Sequence, residues 1–567
     1  MNRKKSDGFI LQAGILAAAG IIVRIIGILY RKPLLVIIGD EGNGYYSTAY
    51  AIYTIILLVS SYSIPSAISK IIAERLARKE YKNAQRIFFC AFIYVIVVGG
   101  LGSLFCFFGA EMLVGHYSAM VLRVFAPTIF LSGLLGVMRG YFQANHTMLQ
   151  TSVSQILEQI LNAIISILGA YLLIGTVADR DTSTQAVYGA IGSALGTGSG
   201  VLIALVFMIW VYCLNRKGIK KKVEIDYFHE DLSYGAIFKM IFCMVTPIIL
   251  STFIYNLNTA SNLKIYQGLM QRMFHYSETE ATTAYGLYSG KAMQIINIPV
   301  AIASSMSAAI IPAVAGSYEM RKKKETRRKV AKAIKVTMLI SIPAAVGLFV
   351  LARPVVMVLY PQMKTVAMVS SLIRVMSVAV IFYALSTLTN GILQGTGKVN
   401  MPVIHAFVAL LIQAAALAGM LLYTKLDLYA LGFATVLYSF LMFIMNHFAV
   451  RRHLRYRQEV VRTFVLPAIS ALWMGAAAFL IYYGTEKLYC RLFVEKGIYL
   501  GREYLLNETP VLGGVANLIV LAITALIAMV IYFALIIKMG AVSRDELETM
   551  PKGHVFVKIA EKLHLLK

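Results

Sequence analysis

The 567-residue chain is 59% hydrophobic and only 14% charged, and its formal net charge at pH 7 is +26. Apolar runs of membrane-spanning length recur from end to end, and no loop exceeds roughly 25 residues, which excludes a soluble catalytic or nucleotide-hydrolysing domain. The sequence has no G-x-x-x-x-G-K-[ST] pattern, so ATP-driven transport by this chain alone is not expected. The positive charges lie in short segments between alternate apolar runs, which indicates membrane topology rather than nucleic-acid binding.

The hydropathy pattern predicts about 14 transmembrane helices, numbered here as spans in chain order. Their approximate limits are 10–36, 46–69, 87–109, 119–144, 150–175, 187–213, 236–262, 284–315, 334–360, 366–392, 401–423, 428–450, 463–485 and 512–537. Basic clusters follow spans 2, 6, 8 and 12, so these loops and both termini are predicted to be cytoplasmic and near anionic lipid. The first apolar run continues well past Ala19, so we expect it to be retained as a helix rather than cleaved as a signal peptide.

An internal duplication relates residues 122–143 to residues 373–394 without a gap. The identical positions in register include Arg123 and Arg374, Val124 and Val375, Leu134 and Leu385, Gly140 and Gly391, and Gln143 and Gln394. Span 4 therefore corresponds to span 10, which predicts an all-α membrane protein of two six-helix lobes in parallel pseudo-twofold repeat. The predicted divisions are 1–232 and 233–460 for the lobes, 461–540 for two extra helices, and 541–567 for a cytoplasmic tail. Such repeats place the substrate between the lobes and work by alternating access.

Arg24 lies inside the first apolar run and is the main clue to the substrate. A charge near the centre of a membrane helix costs about 2.5–3.5 kcal/mol on insertion scales, so we expect Arg24 to face an aqueous cavity lined by protein. The alternative is that Arg24 reaches a lipid headgroup or pairs with a carboxylate of a neighbouring helix. Gly20 and Gly27 flank it and favour the cavity, because glycine allows close approach of another backbone.

Span 8 carries a second cation, Lys291, and Gln294 follows it on the same helical face. The alternative for Lys291 is that its ammonium reaches the outer interface. Two cations, with no acid inside span 1, predict an anionic substrate held by charge-assisted hydrogen bonds, and a phosphate or diphosphate fits. Asn258, in the polar end of span 7, is a further predicted ligand. Lys70 and Arg31 are candidates of lower rank, since each can instead anchor its helix at the interface.

Glu158 on span 5 is the clearest carboxylate inside an apolar run. It is a candidate for carrying a coupling proton, and the alternative is a structural pair with an arginine or a backbone amide, since carboxylates in membranes normally pair. The five cysteines and nine histidines are scattered without metal-ligand spacing. We therefore expect neither a metal site nor a cofactor.

The whole chain resembles the multidrug/oligosaccharidyl-lipid/polysaccharide (MOP) exporter superfamily. Within it, the chain is most similar to the polysaccharide-biosynthesis branch with stage V sporulation protein B and MurJ-type lipid II flippases. The stretches that carry the resemblance are 64–70 (IPSAISK), 139–143 (RGYFQ), 154–159 (SQILEQ) and 393–398 (LQGTGK). The resemblance implies a flippase with cavity arginines on spans 1, 2 and 8 and a groove for a polyprenyl tail on spans 13 and 14. Arg24 matches the first arginine, whereas span 8 offers Lys291 and span 2 offers Lys70.

We therefore expect a plasma-membrane flippase, not an enzyme, that moves a diphosphate-linked lipid oligosaccharide outward, with the peptidoglycan precursor lipid II as the first choice. Its expected partners are this anionic substrate and membrane lipids, without nucleic acid, and transport is expected to draw on the membrane potential or an ion. The alternatives are a flippase for another lipid-linked polysaccharide unit and a multidrug or cation antiporter of the same superfamily. A membrane-embedded enzyme would need clustered His, Asp or Glu at a membrane face, and a non-transporting scaffold is the last alternative.

Overall fold

The computed structural model describes residues 19–20, 22–27, 29–62, 64–145, 147–226, 231–360, 362–455, 458–494, 504–506, 509–544, 557–558 and 561–562. The predicted start of span 1, residues 10–18, and most of the predicted tail 541–567 lie outside the described residues. The described chain is almost entirely α-helical, as the apolar runs predict. It divides by internal packing into two compact units, Met1–Gly286 and Leu287–Lys567.

The first unit consists of long helices that follow one another through short turns. Its helices are α1 (Arg31–Leu57), α2 (Ile64–Ala77), α3 (Tyr81–Phe108), α4 (Ala110–Val114), α5 (His116–Ala144), α6 (Met148–Thr176), α7 (Thr182–Glu224), α8 (Tyr234–Met273) and α9 (Glu278–Gly286). A π-helical turn, Leu58–Tyr62, continues α1 toward α2. Buried aliphatic and aromatic side chains of α2, α3, α5, α7 and α8 form one apolar core.

The second unit is also built of helices joined by short turns, and it contains a β-hairpin. Its elements are α10 (Met293–Glu319), α11 (Lys323–Val350), α12 (Ala352–Leu359), α13 (Met363–Gly395), α14 (Asn400–Tyr423), α15 (Leu428–Leu454), α16 (Leu466–Tyr489), β1 (Tyr504–Leu506), β2 (Thr509–Val511) and α17 (Gly514–Lys538). The π-helical turns are Leu287–Ala292, Val461–Val465 and Cys490–Val494. The strands pair antiparallel, with Tyr504 opposite Val511. Side chains of α10, α11, α13 and α15–α17 form the core of this unit.

A break at Gly39 separates the first two predicted spans within α1. Gly39 has φ 67° and ψ −173°, a conformation essentially restricted to glycine, so the helix cannot continue straight through it. The residues before Gly39 belong to predicted span 1, and those after it lead into span 2. The turn between the two spans is therefore made by one residue.

Small residues let α6 and α7 pack with their backbones in close contact. A Cβ at Gly192 would lie 2.3 Å from the backbone nitrogen of Ala170, and one at Gly196 would lie 2.5 Å from the backbone nitrogen of Ser166. A Cβ at Gly200, one further turn along, would lie 2.6 Å from the carbonyl oxygen of Glu158. Spacing of four residues places these glycines on one face, and helices in membranes commonly associate through such faces.

Ten of the described helical segments are long and apolar enough to cross a membrane. They are Tyr81–Phe108, His116–Ala144, Met148–Thr176, Thr182–Glu224, Lys323–Val350, Met363–Gly395, Asn400–Tyr423, Leu428–Leu454, Val461–Leu492 and Gly514–Lys538. The count of 14 spans and the lobe limits 1–232 and 233–460 stay predictions. Packing of α8 and α9 against α1 accounts for the position of the unit boundary, which falls inside the eighth predicted span.

Candidate functional site

A ladder of tyrosines lines one face of α1 in the first unit. Tyr46, Tyr50 and Tyr53 recur at helical spacing, so their rings share one face. The rings of Tyr46 and Tyr50 stack with centroids 5.7 Å apart, and Tyr53 stacks on Phe125 of α5 at 4.6 Å. Tyrosine combines a large apolar ring with a hydroxyl, which suits a surface that meets both apolar and polar groups.

Two of the predicted site residues lie near this ladder. Arg31 and Glu158 both lie within electrostatic range of the hydroxyl of Tyr50. Arg31 is half-buried at the start of α1, and Glu158 is half-buried on α6. The fold therefore brings a predicted ligand and the predicted coupling carboxylate to the same region of the first unit.

Glu158 pairs with Arg139 of α5. The Arg139 guanidinium donates from Nη2 to Oε2 of Glu158 at 2.7 Å and from Nε to Oγ of Ser154 at 2.9 Å. Arg139 opens the stretch RGYFQ and was not among the predicted site residues, although an arginine inside an apolar run is a signal of its own. The two charges are partly buried, so each lowers the cost of keeping the other in the membrane.

Arg24, Lys70 and Asn258 lie on three different helical segments of the first unit. Arg24 is exposed in the segment 22–27, and Lys70 is exposed on α2. Asn258 is buried on α8, and its side-chain oxygen Oδ1 has no hydrogen-bond partner among the described residues. In the described part of the chain, no hydrogen bond or ion pair joins these three residues to one another. Gly27 approaches α6, since a Cβ there would lie 3.3 Å from Nε2 of Gln159.

The first unit also contains a tight contact between α1 and the pair α8–α9, which we call the outer seal after the side that the predicted topology gives it. A Cβ at Gly286 would lie 2.6 Å from the Cα of Gly44, so these two backbones touch. The members of the outer seal are Asn43, Gly44, Tyr45 and Thr48 of α1 with Gln267, Thr279, Thr282 and Gly286 of α8 and α9. Its hydrogen bonds are Asn43 Nδ2 to the carbonyl oxygen of Gly286 (3.3 Å), Gln267 Nε2 to Oγ1 of Thr48 (3.1 Å) and of Thr282 (3.3 Å), and Tyr45 with Thr279 (2.9 Å).

Lys291 is fully buried in the second unit, with 0% of its surface exposed. It lies in the π-helical turn Leu287–Ala292. Its ammonium donates to Oε1 of Gln362 and to Oγ1 of Thr365, each at 3.1 Å, and lies 5.4 Å from the centre of the Tyr360 ring. Gln294 follows half-buried on α10. These polar and aromatic neighbours explain how an ammonium is held away from water, because each contact replaces part of its hydration.

The two helices predicted as an appendage are tied to the second unit by buried polar contacts. The Arg353 guanidinium pairs with the Glu486 carboxylate of α16 and lies 4.9 Å from the centre of the Tyr483 ring. The hydroxyl of Tyr482 donates to Oδ1 of Asn517 on α17 at 2.7 Å. Spans 13 and 14 are thus fixed to each other and to α12. Among the described residues, no cluster of three or more His, Cys, Asp or Glu side chains is suited to hold a metal ion.

A family model described as "Lipid II flippase MurJ" matches residues 78–496. The chain is 23% identical over 479 residues to the lipid II flippase MurJ of Bacillus subtilis (strain 168), covering 80% of this chain and 85% of that protein. It is 28% identical over 354 residues to stage V sporulation protein B of the same organism, covering 61% of this chain and 65% of that protein.

Solved structures share the fold. A lipid II flippase MurJ in an inward closed conformation superposes with a TM-score of 0.63 at 14% identity, covering 92% of this chain and 97% of that chain. An inward-facing multidrug resistance MATE family transporter of the MOP superfamily gives a TM-score of 0.61 at 15% identity, covering 76% of this chain and 98% of that chain. With ten apolar helices among its described residues, the chain is a multi-pass protein of the plasma membrane with a MurJ/MATE-like fold.

Proposed function

The chain belongs to the MurJ family, and from this premise we propose that it is a flippase that moves a lipid-linked oligosaccharide from the inner to the outer leaflet of the plasma membrane. The substrate that fits first is the peptidoglycan precursor lipid II, for which the matching MurJ of Bacillus subtilis is named. The protein acts as a transporter rather than as an enzyme. Its cavity holds the charged head of the substrate while the lipid tail stays in hydrocarbon.

The buried ammonium of Lys291 is the main observation in favour of an anionic substrate. A fully buried cation in a membrane protein is costly, and such residues usually mark substrate or ion pathways. In the proposed cycle, Lys291 exchanges Gln362 and Thr365 for the oxygens of a diphosphate, which form stronger, charge-assisted hydrogen bonds. Arg24 supplies a second, forked set of donors from span 1.

The remaining predicted ligands have more limited roles. The Oδ1 atom of Asn258 is a buried acceptor without a described partner, so it suits a hydroxyl or amide hydrogen of the sugar. Gln294 contributes a neutral amide beside Lys291. Lys70 attracts the substrate from the side that the basic loops assign to the cytoplasm, which is also the side proposed for both termini. Arg31 lies in the half of span 1 nearer the outer loop, so it suits a later position of the head.

Similar packing inside the two units supports a parallel repeat of six spans within a total of 14. A Cβ at Gly140 of α5 would lie 2.8 Å from the carbonyl oxygen of Pro65, and one at Gly391 of α13 would lie 3.0 Å from that of Ser307. Gly140 and Gly391 are the glycines that the internal duplication aligns. A short helix precedes each of these long helices, α4 before α5 and α12 before α13. Related lobes of this kind support alternating access.

The outer seal supports a state that is closed on the outer side. It joins span 2 to the outer ends of spans 7 and 8, which the predicted division assigns to the opposite lobe. Opening this seal is the proposed step that releases the head outward. A membrane potential that is negative inside favours this step for an anion, by about 2.3 kcal/mol per charge for each 100 mV.

Glu158 is proposed to couple an ion or proton to this cycle through its pair with Arg139. Protonation of Glu158 would remove the charge that balances Arg139 and would weaken the contact between α5 and α6. The measurement that supports or excludes this role is the pH dependence of transport in Glu158→Gln. A purely structural pair lowers protein yield in this variant without changing the pH profile of the remaining activity.

The experiment that tests the proposed function is lipid II flipping in reconstituted vesicles. We compare wild type with Arg24→Ala and with Lys291→Met, which keeps the apolar stem and removes the charge. Arg123→Ala is the matched control, because it removes an exposed cation that pairs with Glu111 at 3.2 Å. We expect both site variants to lose flipping while the control retains it, after size-exclusion chromatography has confirmed folding of all three. Full activity in both site variants contradicts the cationic site. If the wild-type protein flips only another lipid-linked sugar, that sugar takes the place of lipid II as the proposed substrate.

A further inference from the structure

Helix α7 continues far beyond the apolar run that crosses the membrane. It contains 43 residues, about 64 Å at the usual rise, whereas a hydrocarbon core of about 30 Å needs only about 20 residues. The predicted span 6 ends near residue 213, and we call residues 214–224 the α7 extension. It lies on the side that the basic loops assign to the cytoplasm.

One face of the α7 extension packs against the α2–α3 region of the first unit. Ile219 and Val223 line a small cavity together with Leu76 and Tyr81 from the α2–α3 region. Just beyond the extension, the carboxylate of Asp226 accepts a hydrogen bond of 2.9 Å from the backbone nitrogen at the start of α3. The extension is therefore a held helix with a defined outer face, rather than a free segment.

The outer face carries four exposed cations. These are Arg216, Lys217, Lys220 and Lys221, and one exposed carboxylate, Glu224, lies in the same sector at the end of the helix. Spacings of four residues place Arg216 with Lys220 and Lys217 with Lys221, so the four charges fall within one sector of the helix. None of the four forms an ion pair with a side chain in the described part of the chain. Their charges are thus available to an anionic partner.

The same stripe of α7 is apolar and exposed where it crosses the membrane. Trp210 and Leu214 are 58% and 65% exposed, and Lys217 and Lys221 continue their stripe at helical spacing. Lys217 lies about 10 Å beyond Trp210 along the helix, and interfacial tryptophans sit at the level of the lipid headgroups. The long Lys217 side chain can therefore reach back to the phosphate of a lipid that contacts Trp210, and Lys221 lies one turn further out.

We propose that the outer face of the α7 extension binds the headgroups of anionic phospholipids. Continuity with a lipid-facing stripe favours a phospholipid over an acidic protein, since a soluble partner would not need Trp210 and Leu214. Basic clusters directly beyond a membrane helix recognise anionic headgroups in this way. Binding of phospholipids at this face does not depend on which substrate is transported, so failure of lipid binding and failure of flipping are separate results.

The two tryptophans of the chain, Trp210 and Trp473, make a direct test available. In a Trp473→Phe background, Trp210 is the sole tryptophan and reports on adjacent lipid. The protein is reconstituted into vesicles that contain brominated phosphatidylglycerol or brominated phosphatidylcholine, and quenching gives the relative affinity at Trp210. We expect a preference of about fivefold for phosphatidylglycerol, the equivalent of one effective cation contact. Raising the salt from about 0.05 M to about 0.5 M should reduce it, because the contact is electrostatic.

Two sets of variants decide what causes the preference. Replacing all four cations with glutamine should bring the two lipids to equal quenching. The charge-preserving set, Arg216→Lys with arginine at the three lysines, should retain the preference. Equal quenching in the parent protein overturns the proposal, as does a preference that survives the glutamine set. Loss of preference in both sets also overturns it, because a helix distortion then explains the result.

Discussion

Replacing Gly44 with alanine should open the outer seal. The new Cβ would lie 2.8 Å from the carbonyl oxygen of Thr282 and 2.9 Å from the Cα of Thr283. Both neighbours are backbone atoms that cannot rotate away, so α1 must move from α9. Overpacking of this kind costs about 1–3 kcal/mol. If the cost falls only on the closed state, the ratio of open to closed molecules rises by about 5- to 150-fold.

The assay is labelling of Thr48→Cys by an impermeant thiol reagent in intact cells, in a background without the native cysteines. Thr48 is fully buried in the outer seal, so its labelling rate follows the open fraction. The matched control is Gly100→Ala, since a Cβ at Gly100 would meet nothing within 4 Å. We expect labelling to rise at least about fivefold with Gly44→Ala and to stay unchanged with the control. Equal labelling rates in the two variants would refute the assignment of this contact as a seal.

Three further substitutions test the packing and charges of the fold by thermal unfolding in detergent. Glu486→Gln leaves Arg353 without its buried counter-charge and should cost about 2–4 kcal/mol of stability, against at most about 1 kcal/mol for Glu459→Gln at an exposed pair. Gly192→Ala should destabilise by about 1–3 kcal/mol, because its Cβ meets backbone atoms at 2.3 Å. Burial opposes ionisation of Glu80, but hydrogen bonds from its side-chain partners lower its pKa below the usual 4.5. Its stabilisation should therefore be complete above pH 4.5 and fade as the pH falls through the lowered pKa, a dependence that Glu80→Gln removes.

Each of these outcomes has a result that would contradict it. Equal losses for the buried and the exposed glutamate would mean that the pair with Arg353 contributes no more than a surface contact. Gly175→Ala meets nothing within 4 Å on α6, so an equal loss there would dismiss close packing as the cause at Gly192. A stability difference between wild type and Glu80→Gln that is constant between pH 3 and pH 6, about the range of carboxylate titration, would exclude the lowered pKa.

The helical architecture was predictable from the sequence because a membrane imposes it. Lipid offers no hydrogen-bond partners, so an apolar run of sufficient length must be helical. The resemblance to the MOP superfamily is confirmed by the family match and by the shared fold. The break between spans 1 and 2 was also indicated, since Gly39 stands where the apolar run ends. The hairpin at Tyr504–Val511 has no such signal, because polar loops between spans obey no membrane constraint.

The partners of the candidate site residues were not predictable from sequence. Glu158 and Arg139 lie on different helices. The sequence predicted that Glu158 could pair with an arginine, but it did not indicate which arginine. Lys291 reaches Gln362 and Thr365, more than a complete span away along the chain. The sequence gives no signal for the outer seal, because Gly44 and Gly286 meet through backbone atoms and its polar side chains come from distant parts of the chain. Contacts of this kind depend on how helices are placed in three dimensions, which hydropathy does not encode.

The most direct test of the function is transport by the wild-type protein alone. Vesicles that contain lipid II, with or without the reconstituted protein, are treated from outside with a reagent that modifies only the exposed sugar-peptide head. A fluorescent phosphatidylcholine in the same vesicles reports on nonspecific scrambling. We predict that the protein makes lipid II from the inner leaflet accessible while the phosphatidylcholine stays in place. No gain over protein-free vesicles, for lipid II and for other diphosphate-linked lipid sugars, would contradict the assignment of this chain as a flippase.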